Sequence, residues 1–410
     1  MNPPSPAADL ICFSHLRWDF VWQRPQHLLS RAARDRRVWF VEEPLPTDGE
    51  AWLECLPVTD RLARVIPRLP DELSAEAACR TQGELLGRFW RERKFVSPLL
   101  WYYTPMALPF TRTLAAGVVV YDCMDELSAF KGASPALRGL ERDLLDRAQL
   151  VFTGGVSLYE AKKHQHPSVH ACPSSVDKAH FAKARQPLPA PADQAPIPGP
   201  RVGFFGVIDE RLDIGLMASL AALRPDYHFV MLGPVVKVDP DTLPQAPNLH
   251  YLGMKTYAEL PSYLSSWDVA LLPFARNEAT RFISPTKTPE YLAAGCPVVS
   301  TSIADVVNPY GRQRLARIAD DAESFAEAID ASLADGPERL ARADAFLAGI
   351  SWDRTWQGMQ SLIHDVARRA ERPSQGRAVP TAPVGTADGG ATAWFPLCFV
   401  VFPLAQHFSA

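Results

Sequence analysis

Short runs of apolar and β-branched residues recur along most of this chain, separated by polar helical stretches, a rhythm that restricts it to a doubly wound parallel α/β architecture. Leu10-Ile11-Cys12-Phe13 predicts a first strand, followed by a polar loop and a helix with Pro25 in its first turn. Val38-Trp39-Phe40-Val41 predicts a second, with Glu42 and Glu43 at its carboxyl end. Further strands are expected at 99–103, 118–121, 150–153 and 169–172, whereas residues 45–98 mix prolines with helical patches and yield no clear order of elements. A second series opens with Arg201-Val202-Gly203-Phe204-Phe205-Gly206 and continues at 229–232, 249–251, 269–272, 297–300 and 315–319. Helices are expected at 321–334 and 337–348, and an amphipathic helix with an aromatic start runs from Trp352 to near Arg369. No fixed period relates the two halves.

A chain of 410 residues exceeds what one hydrophobic core usually serves, so two domains of roughly 150 to 200 residues are expected. They are assigned to 1–185 and 201–350, joined by a Pro- and Ala-rich, semi-rigid linker at 186–200. A terminal helix occupies 351–370, and the Pro, Gly, Ala and Ser content of 371–410 reads as a disordered tail. Within that tail, residues 393–404 are apolar but short and bracketed by prolines, a weak interfacial anchor at best. The formal charge of -4 argues against a general nucleic-acid binder. Seven scattered cysteines without a C-x-x-C pair read as buried reduced thiols of a cytoplasmic protein. No basic-then-apolar leader pattern opens the chain.

Residues 284–300, SPTKTPEYLAAGCPVVS, read as loop, short helix and buried strand. Gly295 suits the left-handed end of the helix, and Pro297-Val298-Val299 begins an interior strand. Glu290 then stands at the carboxyl edge of a sheet, where open α/β folds bind nucleotides and a carboxylate can accept from two ribose hydroxyls. Ser284 and Lys287 lie beside a helix start suited to phosphate.

This segment resembles the donor-binding motif of retaining GT-B glycosyltransferases of the large family 4 type. Pro173-Ser174-Ser175-Val176-Asp177-Lys178-Ala179-His180-Phe181 is similar to that family's P-N-G-V-D-x-x-x-F signature, with Ser in place of Asn and Gly. His15-Leu16-Arg17-Trp18-Asp19-Phe20-Val21-Trp22-Gln23-Arg24-Pro25-Gln26-His27-Leu28-Leu29 and Val120-Tyr121-Asp122-Cys123-Met124-Asp125-Glu126 resemble a bacterial subgroup labelled teichuronic-acid-type or polysaccharide glycosyltransferases. The resemblance implies a GT-B fold, two Rossmann-like doubly wound domains facing a cleft, with the last helix crossing back to the first domain. It implies a metal-independent enzyme without a cofactor, whose substrates are a nucleotide sugar and a glycan or lipid-linked acceptor, working with retention. Its setting would be the cytoplasm or the inner face of the plasma membrane.

On the donor side the candidates are Gly206, which permits close ligand approach, Arg211 in the following loop, Ser284, Lys287 and Glu290. Arg211 resembles the family's diphosphate-binding basic residue; a charge paired with Asp209 or Asp213 is the bland alternative. The family's second Glu, eight positions before Glu290, is replaced by Phe282, which leaves Glu278 or Arg281 as substitutes. On the acceptor side stand Arg17, Trp18, Gln23, Arg24 and Glu126, with His15, Asp122 and Asp125 as catalytic candidates. The acids at 122–126 serve equally as helix-capping groups. Gly154-Gly155 opens a helix that could meet phosphate. Arg31, Arg34, Arg36 and Arg37 form a basic stretch, either a solvated face or a contact for anionic lipid. A nucleotide-sugar epimerase of the same fold and a catalytically silent binding module are the alternatives to a transferase.

Overall fold

The computed structural model describes residues 8–371; the 372–410 part of the expected tail, with its apolar segment, lies outside them. The first lobe contains β1 (Leu10–Phe13), β2 (Val38–Val41), β3 (Leu45–Thr47), β4 (Trp52–Thr59), β5 (Leu62–Pro70), β6 (Leu99–Tyr102), β7 (Val118–Cys123), β8 (Leu150–Thr153) and β9 (Val169–Ala171). They hydrogen-bond in the order β3-β5-β2-β1-β6-β7-β8-β9, with β4 added to β5. The second lobe holds β10 (Arg201–Phe205), β11 (His228–Leu232), β12 (Leu249–Gly253), β13 (Val269–Leu272), β14 (Val298–Ser300) and β15 (Ala316–Ile318), ordered β12-β11-β10-β13-β14-β15.

The central strands are continuous apolar runs because both of their faces are covered: every residue of β1, β2, β6, β7 and β8 is buried. The order of succession of the strands reverses beside β1, which pairs in parallel with β2 on one side and β6 on the other. β10 likewise lies between β11 and β13. These two switch points place the loops after Phe13 and Phe205 at crevices suited to ligands.

Residues 45–98 resolve into the short strand β3, the antiparallel hairpin β4–β5 and the long helix Ala75–Arg93. The hairpin escaped sequence reading because most of β4 is exposed, leaving no alternation to detect, and Pro57, Pro67 and Pro70 interrupt its pattern. Residues of the 186–200 stretch lie on the second lobe. The buried Gln194 amide donates to the Tyr263 carbonyl at 3.0 Å and accepts from Trp267 Nε1 at 2.9 Å.

The helix Trp352–Glu371 leaves the second lobe and packs into the first, where Trp352, Trp356, Met359 and Ile363 join the core formed by Leu28, Leu29, Trp101 and Phe152. Trp352 stacks on His27 with 4.7 Å between ring centroids. The arginine-rich stretch is electrostatically occupied: Arg31 and Arg34 pair with Asp353, Arg36 with Asp35, and Arg37 with Asp9.

A second bond between lobes is unusual in its chemistry. Asp305 of the second lobe accepts from the Val156 and Ser157 amides, each at 2.9 Å, at the start of the first-lobe helix Val156–Lys162. The helix start after Gly154-Gly155 therefore receives a carboxylate from its own chain, not a substrate phosphate. A Cβ on Gly155 would lie 2.1 Å from Asp305 Oδ2. Asp305→Ala is expected to cost about 1 kcal/mol, the usual loss for an N-terminal cap, and to widen the spread of lobe orientations, measurable by small-angle scattering.

Candidate active site in the interlobe cleft

Between the carboxyl edges of the two sheets lies a cavity of about 360 Å³. The first lobe contributes Trp18, Trp22, Gln23, Asp125 and Ser174, and the second contributes Gly206, Arg211, Ser284, Lys287 and Glu290.

The second-lobe wall follows from local chemistry. The helix Lys287–Ala294 ends at Gly295 with φ 89°, a left-handed cap that lets the chain turn into β14. Tyr291 is buried, and its hydroxyl accepts from the Phe205 amide at 3.0 Å, tying this helix to the end of β10. Glu290, one residue earlier, is thereby held 4% exposed on the cavity wall. Among the described residues no hydrogen bond or ion pair holds its carboxylate. Burial lifts its pKa, and nearby Lys287 pulls it back. Lys287 shows the mirror effect: burial and the Arg211 cation depress it, and Glu290 opposes them.

Gly206 follows β10 with φ 145°, and a Cβ there would stand 2.2 Å from Lys287 Cε. The absence of a side chain is what lets the lysine lie over the strand end. Gly206→Ala is therefore expected to displace the ammonium and to weaken binding of a nucleoside diphosphate by about tenfold or more, measured by calorimetry. Unchanged affinity would remove Lys287 from the anion site. Arg211 clasps Asp209 through two nitrogens, at 2.7 and 2.9 Å. The bland sequence reading of that pairing is thus present, yet the guanidinium also lines the cavity and lies 5.6 Å from the Phe130 ring of the opposite lobe.

The first-lobe candidates separate. Asp125 lines the cavity; burial raises its pKa while Arg211 across the cleft lowers it. Trp18 and Gln23 also line it. Asp122 does not face the cleft: it is wholly buried and held by Arg24, with contacts of 2.8 to 3.1 Å, because β7 points it inward toward the helix Arg24–Ala32. Arg24 is 1% exposed and also donates to the Cys172 carbonyl at 2.7 Å, so it braces the lobe and leaves little for an acceptor. Arg17 is spent on Glu42 and the carbonyls of Glu43 and Pro44. Glu126 pairs with Lys162 at 2.7 Å. His15 opens onto a different cavity.

Phe282 turns away and packs against the first-lobe core, while its proposed substitutes Glu278 and Arg281 pair with each other at 3.7 Å on the surface. The wall also contains residues that sequence reasoning missed. Tyr257 stacks on Trp22 at 5.6 Å and on His180 at 4.2 Å, joining the lobes through aromatic faces. Its only sequence signal is an aromatic in the loop after β12. Among the described residues no cluster of three or more His, Cys, Asp or Glu is arranged to hold a metal ion.

Residues 199–335 match the family of group 1 glycosyl transferases. The chain is 28% identical over 224 residues to the putative teichuronic acid biosynthesis glycosyltransferase TuaH of Bacillus subtilis (strain 168), covering 50% of this chain and 55% of that protein. It thus spans about half the length of the curated relative it matches. Among solved structures, a sucrose-phosphate synthase from Thermosynechococcus elongatus superposes with TM-score 0.68 at 14% identity, covering 88% of this chain and 100% of the other. An E. coli trehalose-6-phosphate structure bound with UDP-2-fluoro glucose superposes with TM-score 0.65 at 13% identity, covering 88% and 99%. At these identities the likeness shows the fold: two Rossmann-like α/β lobes about a cleft, the GT-B arrangement.

Proposed function

We propose that this chain, a GT-B-fold relative of the group 1 glycosyl transferases, moves a sugar from a nucleotide donor to a glycan or lipid-linked acceptor of a cell-surface polysaccharide, with retention, at the cytoplasmic face of the membrane. One observation carries this reading: the nearly buried Glu290 carboxylate, unbound within the described residues, stands beside Lys287 and Gly206 at the switch point of the second sheet. A carboxylate so placed serves two ribose hydroxyls. Lys287, Arg211 and the helix start meet the departing diphosphate, whose charge grows as the glycosidic bond breaks. Ser284 adds a hydroxyl to the same wall. Across the cleft, Asp125 takes the acceptor hydroxyl's hydrogen bond, and the exposed Trp22, backed by the buried Trp18, offers an aromatic surface for a sugar ring. The names of the relatives support this reading, one from teichuronic acid biosynthesis and one bound with UDP-2-fluoro glucose.

A thermal-shift screen of nucleoside diphosphates and their sugars tests it. A ligand at a hundred times its Kd stabilises by about 2.7 kcal/mol. No shift with any of them would refute the donor site. Asp125→Asn should keep the shift and lower turnover about a hundredfold or more, within the usual range for a general acid or base. A silent binding module is the second reading, favoured by Phe282 standing where the resembled motif has an acid. Donor-dependent sugar transfer above background excludes it, and an isomerised nucleotide sugar would indicate an epimerase.

A further inference from the structure

The first lobe contains a second cavity, about 200 Å³, at the carboxyl ends of β1 and β2 and beneath the helix Ala75–Arg93. Its lining is divided. Leu73, Ala78, Met106, Phe110 and Leu137 supply apolar lining, while Ser14, His15, Glu42, Glu43, Gln82 and Thr104 supply polar lining. Lys237 of the second lobe, three residues beyond the cleft-lining Pro234, acts electrostatically on both His15 and Glu43. His15 Nδ1 is buried there with no hydrogen-bond partner. Glu42 is the acid that answers the nearby cations, pairing with Arg17 at 3.2 Å and Arg64 at 2.7 Å.

We propose that this cavity receives the apolar end of the acceptor, a short alkyl or single-ring segment carrying a hydroxyl that His15 and Glu43 hold toward the cleft. The inference rests on the transferase reading above and specifies its acceptor. Size and chemistry both argue for it. The volume is of the order of the roughly 150 Å³ cavity that takes a benzene ring, room for one ring or a short chain. Burial pushes the Glu43 carboxyl up to about 8, against the pull of Arg17 and Lys237, and pushes His15 down to about 4. His15 Nδ1, buried without a partner, can meet such a hydroxyl, and the largely apolar lining does not favour a phosphate. An apolar segment in such a pocket contributes affinity in proportion to the surface it removes from water.

The test compares octyl β-glucoside, below its micellar concentration, with methyl β-glucoside by ligand-observed NMR on the full chain. The octyl compound should bind about tenfold more tightly or better. Ala78→Phe, which fills the cavity from a half-buried helix position, should reduce that preference below about threefold. The thermal shift with nucleoside diphosphates should persist in the variant. Should Ala78→Phe fail to give a cooperative melt, Leu73→Gln at the same lining is expected to show the same loss. Equal affinity for the two glucosides, or an octyl preference that survives a folded variant, overturns the assignment. An intact octyl preference in a protein without any nucleotide shift would instead refute the transferase reading and leave an apolar-ligand site.

Discussion

Replacing Glu290 by Gln is expected to weaken donor binding strongly while leaving the fold as stable as before or more so. Two ribose hydroxyls donating to a carboxylate are each worth about 1.5–3 kcal/mol, so their loss weakens a nucleotide sugar by about a hundredfold or more. The folding effect runs the other way because the described residues supply no hydrogen bond to this buried acid. Burial lifts its folded-state pKa above the ordinary carboxylate value. Its contribution to stability is therefore complete below the unfolded pKa and is lost as pH rises through the folded one. Gln does not titrate. The melting temperature of the variant should gain on the parent as pH rises from about 5 to about 8, Lys287 offsetting part of the difference. A variant that binds donors like the parent, or melts early at every pH, would contradict this account of the site.

The Arg24–Asp122 pair carries the opposite expectation: a large structural effect and none on chemistry. Both partners are essentially inaccessible, and the contact is bidentate. Arg24→Met strands a carboxylate in the core and is expected to cost about 3–5 kcal/mol in urea unfolding. The double variant Arg24→Met/Asp122→Leu removes both charges and should recover most of that loss. Its folded fraction should still transfer sugar, because Arg24, although it lines the cleft, spends its guanidinium on Asp122 and the Cys172 carbonyl. A stable but inactive double variant would return Asp122 to the catalytic list.

Those two experiments divide along what the sequence made visible. Glu290, Lys287 and Ser284 lie within seven residues of one another on one loop-helix unit, so their shared place at a sheet edge follows from local propensities. Gly206 and Arg211 follow from the end of a strand recognisable by its buried run. Asp122 and Arg24 are 98 positions apart, and nothing in either segment announces the other. The same limit hid Tyr257, whose role comes from rings supplied by Trp22 and His180. Strands followed the same division: β1, β2, β8 and β13 were legible as uninterrupted apolar runs, whereas β4 is an exposed ribbon whose identity depends on its pairing with β5. His15 and Glu43 were each noticed at strand ends, but only the packing of the Ala75–Arg93 helix over them makes a chamber.

The return of the last helix to the opening lobe has a consequence for biosynthesis. Trp101, Phe152 and Leu28 are translated early, yet the indoles that seal them are at 352 and 356. A nascent chain emerging from the ribosome must therefore hold an unfilled hydrophobic seam until the helix at 352–371 has been made. Chains cut short before that point would expose this seam to chaperones and proteases, and the first lobe would close only after the second has been made.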